Sequence, residues 1–365
     1  DARCNGRQCQ VAIAAGGQAG APGFSHGGVT SVAFAPGNLL FCASKRSVLA
    51  FDLRRGDSII KQYSDRVWAA EEFAKDEVNQ VSVTSDCAED GCKIACCEDG
   101  GDVHVFRFHG PIAAAEQDGT SGVEHSTLSG VHENICTGVQ WQPGSSGLLV
   151  SGSMDTKLCI WDEPSRTPVS DGIIVCGSNP SGDSASSMGG SQLFNPPFVH
   201  SVDCSPTLCV AGLGDGTLGL YNLLSSPRPV GRLRGHDAAT ACARFVPERS
   251  QDWNWLFTAG NDKRVCLWNL EVLLWHLREG GTAGDVAGDD PEDIREGGDG
   301  GVESDEVALA AEEVEEDDEG SSIASSEPPL VPQLDSEDFL RLRFDLPEKI
   351  NWLDAEIMDG GADLR

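Results

Sequence analysis

Short runs in which apolar and polar residues alternate recur along this chain, and the clearest of them end on an aromatic. In Arg264-Val265-Cys266-Leu267-Trp268-Asn269, Val265 and Leu267 alternate with Arg264, Cys266 and Trp268. A period of two sends neighbouring side chains to opposite faces of a strand. Leu256-Phe257-Thr258-Ala259-Gly260 lies just upstream, and the Asn261-Asp262-Lys263 turn between the two runs predicts a hairpin. Residues 130–162 repeat the plan: Val139 and Trp141, then Leu148–Gly152, a turn at Met154-Asp155-Thr156, and a closing Lys157–Asp162. Three weaker copies occupy 26–54, 76–108 and 198–223, with turns at Lys45-Arg46, Asp99-Gly100-Gly101 and Gly214-Asp215-Gly216. The endings Phe51-Asp52, Phe106-Arg107, Trp161-Asp162, Tyr221-Asn222 and Trp268-Asn269 stand 55, 55, 60 and 47 residues apart. Such a recurrence predicts one supersecondary unit stacked several times, hence an all-β array. Arrays of this kind usually carry partner surfaces rather than catalytic machinery.

A Gly-His start (Gly130 with His132, Gly235-His236) and a Trp-Asp or Trp-Asn finish resemble the WD-repeat family of β-propellers over roughly residues 26–270. The resemblance implies blades of four strands around a central channel. It also implies a tetrad in each strong unit: His132, Ser151, Asp155 and Trp161; and His236, Thr258, Asp262 and Trp268. The chemistry of these residue types is structural. A buried indole N–H needs an acceptor, a hydroxyl supplies one, and His followed by a turn carboxylate extends the chain of bonds. Fully satisfied, the network ties loop to strand. A Ser, His and Asp set also invites a hydrolase reading, but recurrence in two units is what scaffolding does. The other three units lack the full set and are expected to rely more on apolar packing.

Five recognisable blades are expected, with partial blades at both ends. Asp1-Ala2-Arg3 matches Asp52-Leu53-Arg54, so the chain is read as beginning at the tail of an earlier repeat. Glu348–Leu353 reads as the first strand of a further one. One blade upstream and one downstream give seven. The expected division is 1–277 for the blades, with irregular loops at 4–25 and 163–193; 278–338 for an acidic disordered insert; and 339–365 for the start of an incomplete blade. A helix is expected near Val307–Val314. The open array is expected to expose sheet edges and to be poorly soluble.

The formal charge of −32 is concentrated. Residues 285–338 hold 21 Asp or Glu and one basic residue, Arg295, so this tract carries −20 and the rest of the chain −12. The tract, densest at Glu312–Glu319, would attract a basic protein or serve as a solubilising insert. Nucleic-acid binding is not expected without a comparable basic patch. No apolar run approaches the roughly 18 residues that span a bilayer. Of fourteen cysteines, Cys42, Cys96, Cys159, Cys209, Cys242 and Cys266 fall within strand patterns and read as small buried hydrophobes. That usage favours a reducing cytoplasmic or nuclear setting.

The paired Asp-x-Arg endings carry the functional expectation. Arg3 and Arg54 would lie beyond the third strands of consecutive blades, beside Asp1 and Asp52. This resembles the paired Trp-Asp-x-Arg motif of WD-repeat substrate receptors for cullin-4 ubiquitin ligases, where the Arg faces the ligase's adaptor propeller. Arg suits such an interface through its planar fork of donors. Three further stretches resemble one branch of the family whose members are regarded as candidate cullin-4 receptors: Asp76–Val81 leading to Glu98–Val103, Phe194–His200, and Lys349–Leu353. The resemblance implies a non-catalytic scaffold, no cofactor, and two protein partners: the adaptor and an unknown substrate. The alternative is a nuclear scaffold or chaperone that binds basic proteins through 285–338.

Three motifs are set aside. Gly212-x-Gly214-x-Gly216 lies between two strands, without the helix that a phosphate loop needs. His132-Glu133-Asn134-Ile135-Cys136 supplies no zinc pair. Cys92, Cys96 and Cys97 lack metal-ligand spacing and read as strand packing.

Overall fold

The computed structural model describes residues 10–11, 28–55, 60–61, 65–84, 92–110, 112, 122–145, 147–176, 195–224, 226–246, 253–278 and 334–346. β1 (Gln10–Val11) is a two-residue strand. The first sheet takes β2 (Val29–Ala35), β3 (Leu39–Ser44) and β4 (Ser47–Asp52). β5 (Ile60–Lys61) pairs in parallel with β1, and β6 (Arg66–Ala70) completes the first sheet. The second sheet is β7 (Val78–Val83), β8 (Lys93–Glu98), β9 (Val103–Phe108) and β10 (Val123–Leu128). The third is β11 (Cys136–Trp141), β12 (Leu148–Ser153), β13 (Lys157–Asp162) and β14 (Thr167–Val175). The fourth is β15 (Val199–Cys204), β16 (Leu208–Leu213), β17 (Thr217–Asn222) and β18 (Arg228–Arg234). The fifth is β19 (Thr240–Val246), β20 (Trp255–Gly260), β21 (Arg264–Asn269) and β22 (Leu340–Asp345). Helix α1 (Glu271–Arg278) follows β21, and the single turn α2 (Ser336–Phe339) leads into β22.

Each four-stranded sheet is antiparallel and built of strands met in chain order, so each is one blade. Successive blades pack through their first strands, in the order β2, β7, β11, β15, β19. All five of these strands line a common cavity of about 540 Å³. A first strand has a neighbour in its own sheet on one side only, and its other edge presents unpaired backbone groups. Side chains of the preceding blade meet them. Ser31 Oγ accepts from Val81 N (3.1 Å), Ser82 Oγ from Trp141 N (3.2 Å) and Asp203 Oδ2 from Phe245 N (2.7 Å).

The cores are the seams between blades. Phe106 is buried with Trp68 and Phe41 between the first two blades, and Trp161 with Val105 and Leu128 between the second and third. Tyr221 packs with Ile160 and Ile174 in the next seam, and Trp268 with Leu218 and Leu233 in the last. The aromatic that closes a unit therefore plugs the gap to the blade before it. Burial of both sheet faces also explains β16 and β17, in which every residue is buried. Exposed large apolar residues remain on β2 (Val29, Val32 and Phe34) and near the fifth blade (Val272, Trp275, Phe344 and Leu346).

Two expected boundaries shift. Residues 167–175, inside the segment expected to be an irregular loop, form the outer strand of the third blade. Residues 340–345, inside the segment assigned to a further blade, pair with β21 and complete the fifth. β14 follows its partner β13 after a short turn, whereas β22 returns to β21 only after the long segment that follows Asn269, so sequence proximity does not reveal the partner of β22. Asp1-Ala2-Arg3, Val307–Val314 and Glu348–Leu353 lie outside the described residues.

Candidate functional site

The third and fifth blades carry the same chain of hydrogen bonds. Trp161 Nε1–H donates to Ser151 Oγ at 2.8 Å, and Ser151 Oγ meets His132 Nε2 at 2.7 Å. His132 Nδ1 then faces Asp155 Oδ2 at 3.3 Å. In the fifth blade Trp268 Nε1–H donates to Thr258 Oγ1 at 3.0 Å, Thr258 Oγ1 meets His236 Nε2 at 2.9 Å, and His236 Nδ1 meets Asp262 Oδ1 at 3.1 Å. An indole is a donor only and a carboxylate an acceptor only. Each hydroxyl therefore donates to Nε2, and each imidazole donates from Nδ1 to its Asp.

Burial lowers the pKa of both His132 and His236, against the opposing pull of Asp155 and Asp262, so the neutral ring fits the bond directions. Burial raises the Asp155 pKa, but backbone N–H bonds from Glu133 and Lys157, together with His132, outweigh it and the pKa falls. Asp262 falls in the same way under Asp237, His236 and Arg264. Each carboxylate thus grips both the turn it stands on and the loop entering its blade. The hydroxyl oxygens are engaged on both sides, and Ser151 and Thr258 have no exposed surface. Neither presents a nucleophile to solvent.

Tight turns of the preceding blades support these loops. Gly101 sits at φ +88°, where an added Cβ would come within 2.8 Å of the His132 carbonyl oxygen. Gly216 sits at φ +85° under the His236 carbonyl oxygen, which an added Cβ would overlap. Only glycine combines that backbone angle with that approach.

The second blade latches its entry loop differently. Cys96 and Gly100 stand ten and six residues before Phe106, at the positions of the tetrad hydroxyl and carboxylate. Glu98, with no exposed surface, takes over: its Oε2 accepts from Lys75 N (2.7 Å) and Asp76 N (3.1 Å). Lys75 Nζ pairs with Asp102 at 2.7 Å. A carboxylate ending an apolar strand run was the only signal of this latch in the sequence. In the fourth blade Arg232, on the outer strand β18, bonds Asp215 at 2.6 Å and Thr217 at 2.7 Å, tying the β16–β17 turn to the outer strand rather than to the entry loop. Glu163, buried beside the third blade's outer turn, crosses to the second blade and pairs with Lys93 (2.8 Å) and Arg107 (2.9 Å).

At the opposite ends of the sheets, Arg54 follows β4. Its Nε and Nη2 donate to Asp52 Oδ1 and Oδ2, both at 3.0 Å, and its backbone N–H bonds Oδ1 at 2.9 Å. Arg55 approaches the same carboxylate at 3.6 Å. The Arg54 hydrogen bonds hold the Asp52 carboxyl below its ordinary range, against a smaller upward push from burial. Asp52 is 9% exposed at its side chain and Arg54 63%, so a buried carboxylate holds an exposed guanidinium in a fixed fork. Arg3, its expected companion, lies outside the described residues.

The cysteines of the strands are packing groups. Cys42, Cys96, Cys159, Cys209, Cys242 and Cys266 are buried free thiols, and burial pushes Cys42 up to about 12. Cys97 is a further buried free thiol, whereas Cys92 is disulfide-bonded. The Gly212–Gly216 segment joins β16 to β17 as a hairpin. No group of three His, Cys, Asp or Glu side chains able to hold a metal occurs among the described residues. No helix among them is long and apolar enough to cross a membrane.

A model of the WD domain, G-beta repeat, matches residues 123–162 and 227–269. Each match begins on the outer strand of one blade, β10 or β18, and ends on the third strand of the next. The sequence repeat and the sheet are therefore out of phase by one strand, which is why residues 340–345 close the fifth blade. The chain is also 26% identical over 258 residues to WD repeat-containing protein 53 homolog of Dictyostelium discoideum. That similarity covers 68% of this chain and 65% of the relative, so the chain spans less than two thirds of that protein's length. The chain thus carries WD repeats at residues 123–162 and 227–269, and its five four-stranded sheets and two complete latches are consistent with the blades of a WD-repeat propeller.

Proposed function

We propose that this protein is a non-catalytic interaction scaffold that serves as a substrate receptor of a cullin-4 ubiquitin ligase. WD repeats imply protein–protein contacts, and the finer reading rests on one observation: the Arg54 fork held out from the first blade by buried Asp52. Preorganisation of a long side chain lowers the entropy lost when a partner binds it. In this reading the face with Arg54 docks the adaptor propeller, and the opposite rim or the channel mouth holds the substrate. Catalysis is then proximity supplied to other proteins' chemistry. Capture of the adaptor from cells by the wild-type chain, and its loss with Arg54→Ala, is the expected result. Unchanged capture by Arg54→Ala would refute the docking mode.

A second reading draws on the −20 charge of residues 285–338, which the chain inserts between β21 and β22. It makes the protein a scaffold for basic proteins. Salt-sensitive histone binding that disappears on deletion of 285–333 supports it; histone binding that survives the deletion refutes it.

A further inference from the structure

The second blade holds a pair of facing imidazoles that the latch function alone does not require. His104 on β9 is buried, and its Nδ1 lies 3.2 Å from Nε2 of His125 on β10, which is exposed. Thr127 Oγ1 also reaches His104 Nδ1 at 3.2 Å. On its other side, His104 Nε2 faces Glu98 Oε2 at 3.6 Å, and Glu98 is the acceptor that holds the entry loop at Lys75 and Asp76. The same loop inserts Phe73 against both rings, edge-on to His104 at 5.0 Å and to His125 at 5.8 Å. His125 is stacked on Phe106 at 4.4 Å with an interplanar angle of 9°. The charged groups around the pair are Glu98 on β8, Asp102 beside β9, and Lys75 and Asp76 on the loop; the Cys96 thiol also lies against His104.

Two ring nitrogens 3.2 Å apart hold one proton between them. Two protons there would set two N–H groups and two positive charges against each other. A closed latch therefore binds at most one proton at this pair, Glu98 and Asp102 favouring it on His104. An open latch leaves two ordinary imidazoles and binds two. Opening takes up at least one proton, so acid favours it. We propose that the His104–His125 pair is a proton-operated latch on the loop 71–77, closed at neutral pH and released on acidification. His125 is the port: once charged, it leaves the Phe106 stack for solvent and removes one wall of the Phe73 site. Burial lowers both rings' pKa values, and His104 lowers that of His125 further, in keeping with a pair that resists charging while closed.

The loop lies between the first and second blades, at the ends of the sheets opposite Arg54. Arg46 Nε bonds Ala74 O at 2.6 Å and Ser47 Oγ accepts from Glu72 N at 3.0 Å, so the first blade retains its hold while the second lets go. The device thus alters one rim locally, apart from the proposed adaptor face.

Hydrogen exchange on the whole chain tests this, with rates corrected for the intrinsic effect of pH. For one proton taken up per opening, the open population rises up to about tenfold per pH unit below about 6.5. Protection of residues 71–78 should fall about tenfold or more between pH 7.5 and pH 5.0. His125→Gln can still donate to His104 and leaves only His104 to charge, so its loss over the same range should be at least about threefold smaller than that of wild type. Equal loss in wild type and His125→Gln, or no loss in wild type, overturns the proposal. If the variant does not fold, proton magnetic resonance of the wild-type rings decides. Joint uptake of no more than one proton while the loop stays protected supports the latch; independent charging of both rings near 6.5 with the loop protected refutes it.

Discussion

Thr258→Val separates the hydrogen-bonding role of the tetrad from its packing role. Valine matches threonine in shape, so the seam around Trp268 stays filled while both bonds of the hydroxyl disappear. Trp268 Nε1–H and His236 Nε2 then face apolar atoms, with no exposed surface on either Trp268 or Thr258. An orphaned buried polar group costs about 1–3 kcal/mol, so the expected loss from the two is about 2–6 kcal/mol. Urea unfolding followed by tryptophan fluorescence should show a lower midpoint at an unchanged slope. Native-state hydrogen exchange should place the weakening in β20 and β21. The second half of the test is Trp268→Phe in the valine background, which removes the orphaned N–H. The double variant should therefore lose less than the sum of the singles, with a coupling of about 1 kcal/mol or more. A Thr258→Val loss below about 0.5 kcal/mol, or strict additivity, would show that these bonds are not what holds the loop to the strand.

Acidification should weaken both tetrads. Their folded-state His pKa values are lowered, so the unfolded chain binds more protons, and stability present above about 6.5 is lost as pH falls through that value. Asp155 and Asp262 are also lowered and add a further loss below about 4. Urea midpoints at pH 7.5, 5.5 and 3.5 should decline in that order, and a flat profile contradicts the assignment. Glu163→Ala removes the buried carboxylate shared by the partly exposed Lys93 and Arg107 and should cost about 1–3 kcal/mol, read as a drop in unfolding midpoint. Gly216→Ala forces a Cβ at positive φ against the His236 carbonyl and should cost at least about 2 kcal/mol by thermal unfolding; Gly144→Ala, also at positive φ but with open space around it, should cost less.

Much of the architecture was legible because its signal is local. Alternating runs, turn residues and a recurring terminal aromatic sit within about thirty residues of one another, and each hairpin forms from neighbours in the chain. The two tetrads were legible for a related reason: their hydroxyl and indole are ten residues apart, on paired strands whose geometry fixes that interval. The Glu98 latch was not, because its partners are backbone N–H groups of Lys75 and Asp76, and any residue presents those. The bridge from Glu163 to Lys93 and Arg107 likewise joins positions whose separations have no period.

Sequence by itself determined the unit: strand, turn, strand, aromatic, and how many times that unit recurs. Tertiary structure decided where one blade stops and the next begins. An outer strand pairs with whichever third strand has a free edge beside it, however long the loop between them. β22 thus returns from beyond a tract of like charges to complete the fifth blade, because backbone donors and acceptors along β21 need partners, and hydrogen-bond satisfaction does not depend on distance along the chain.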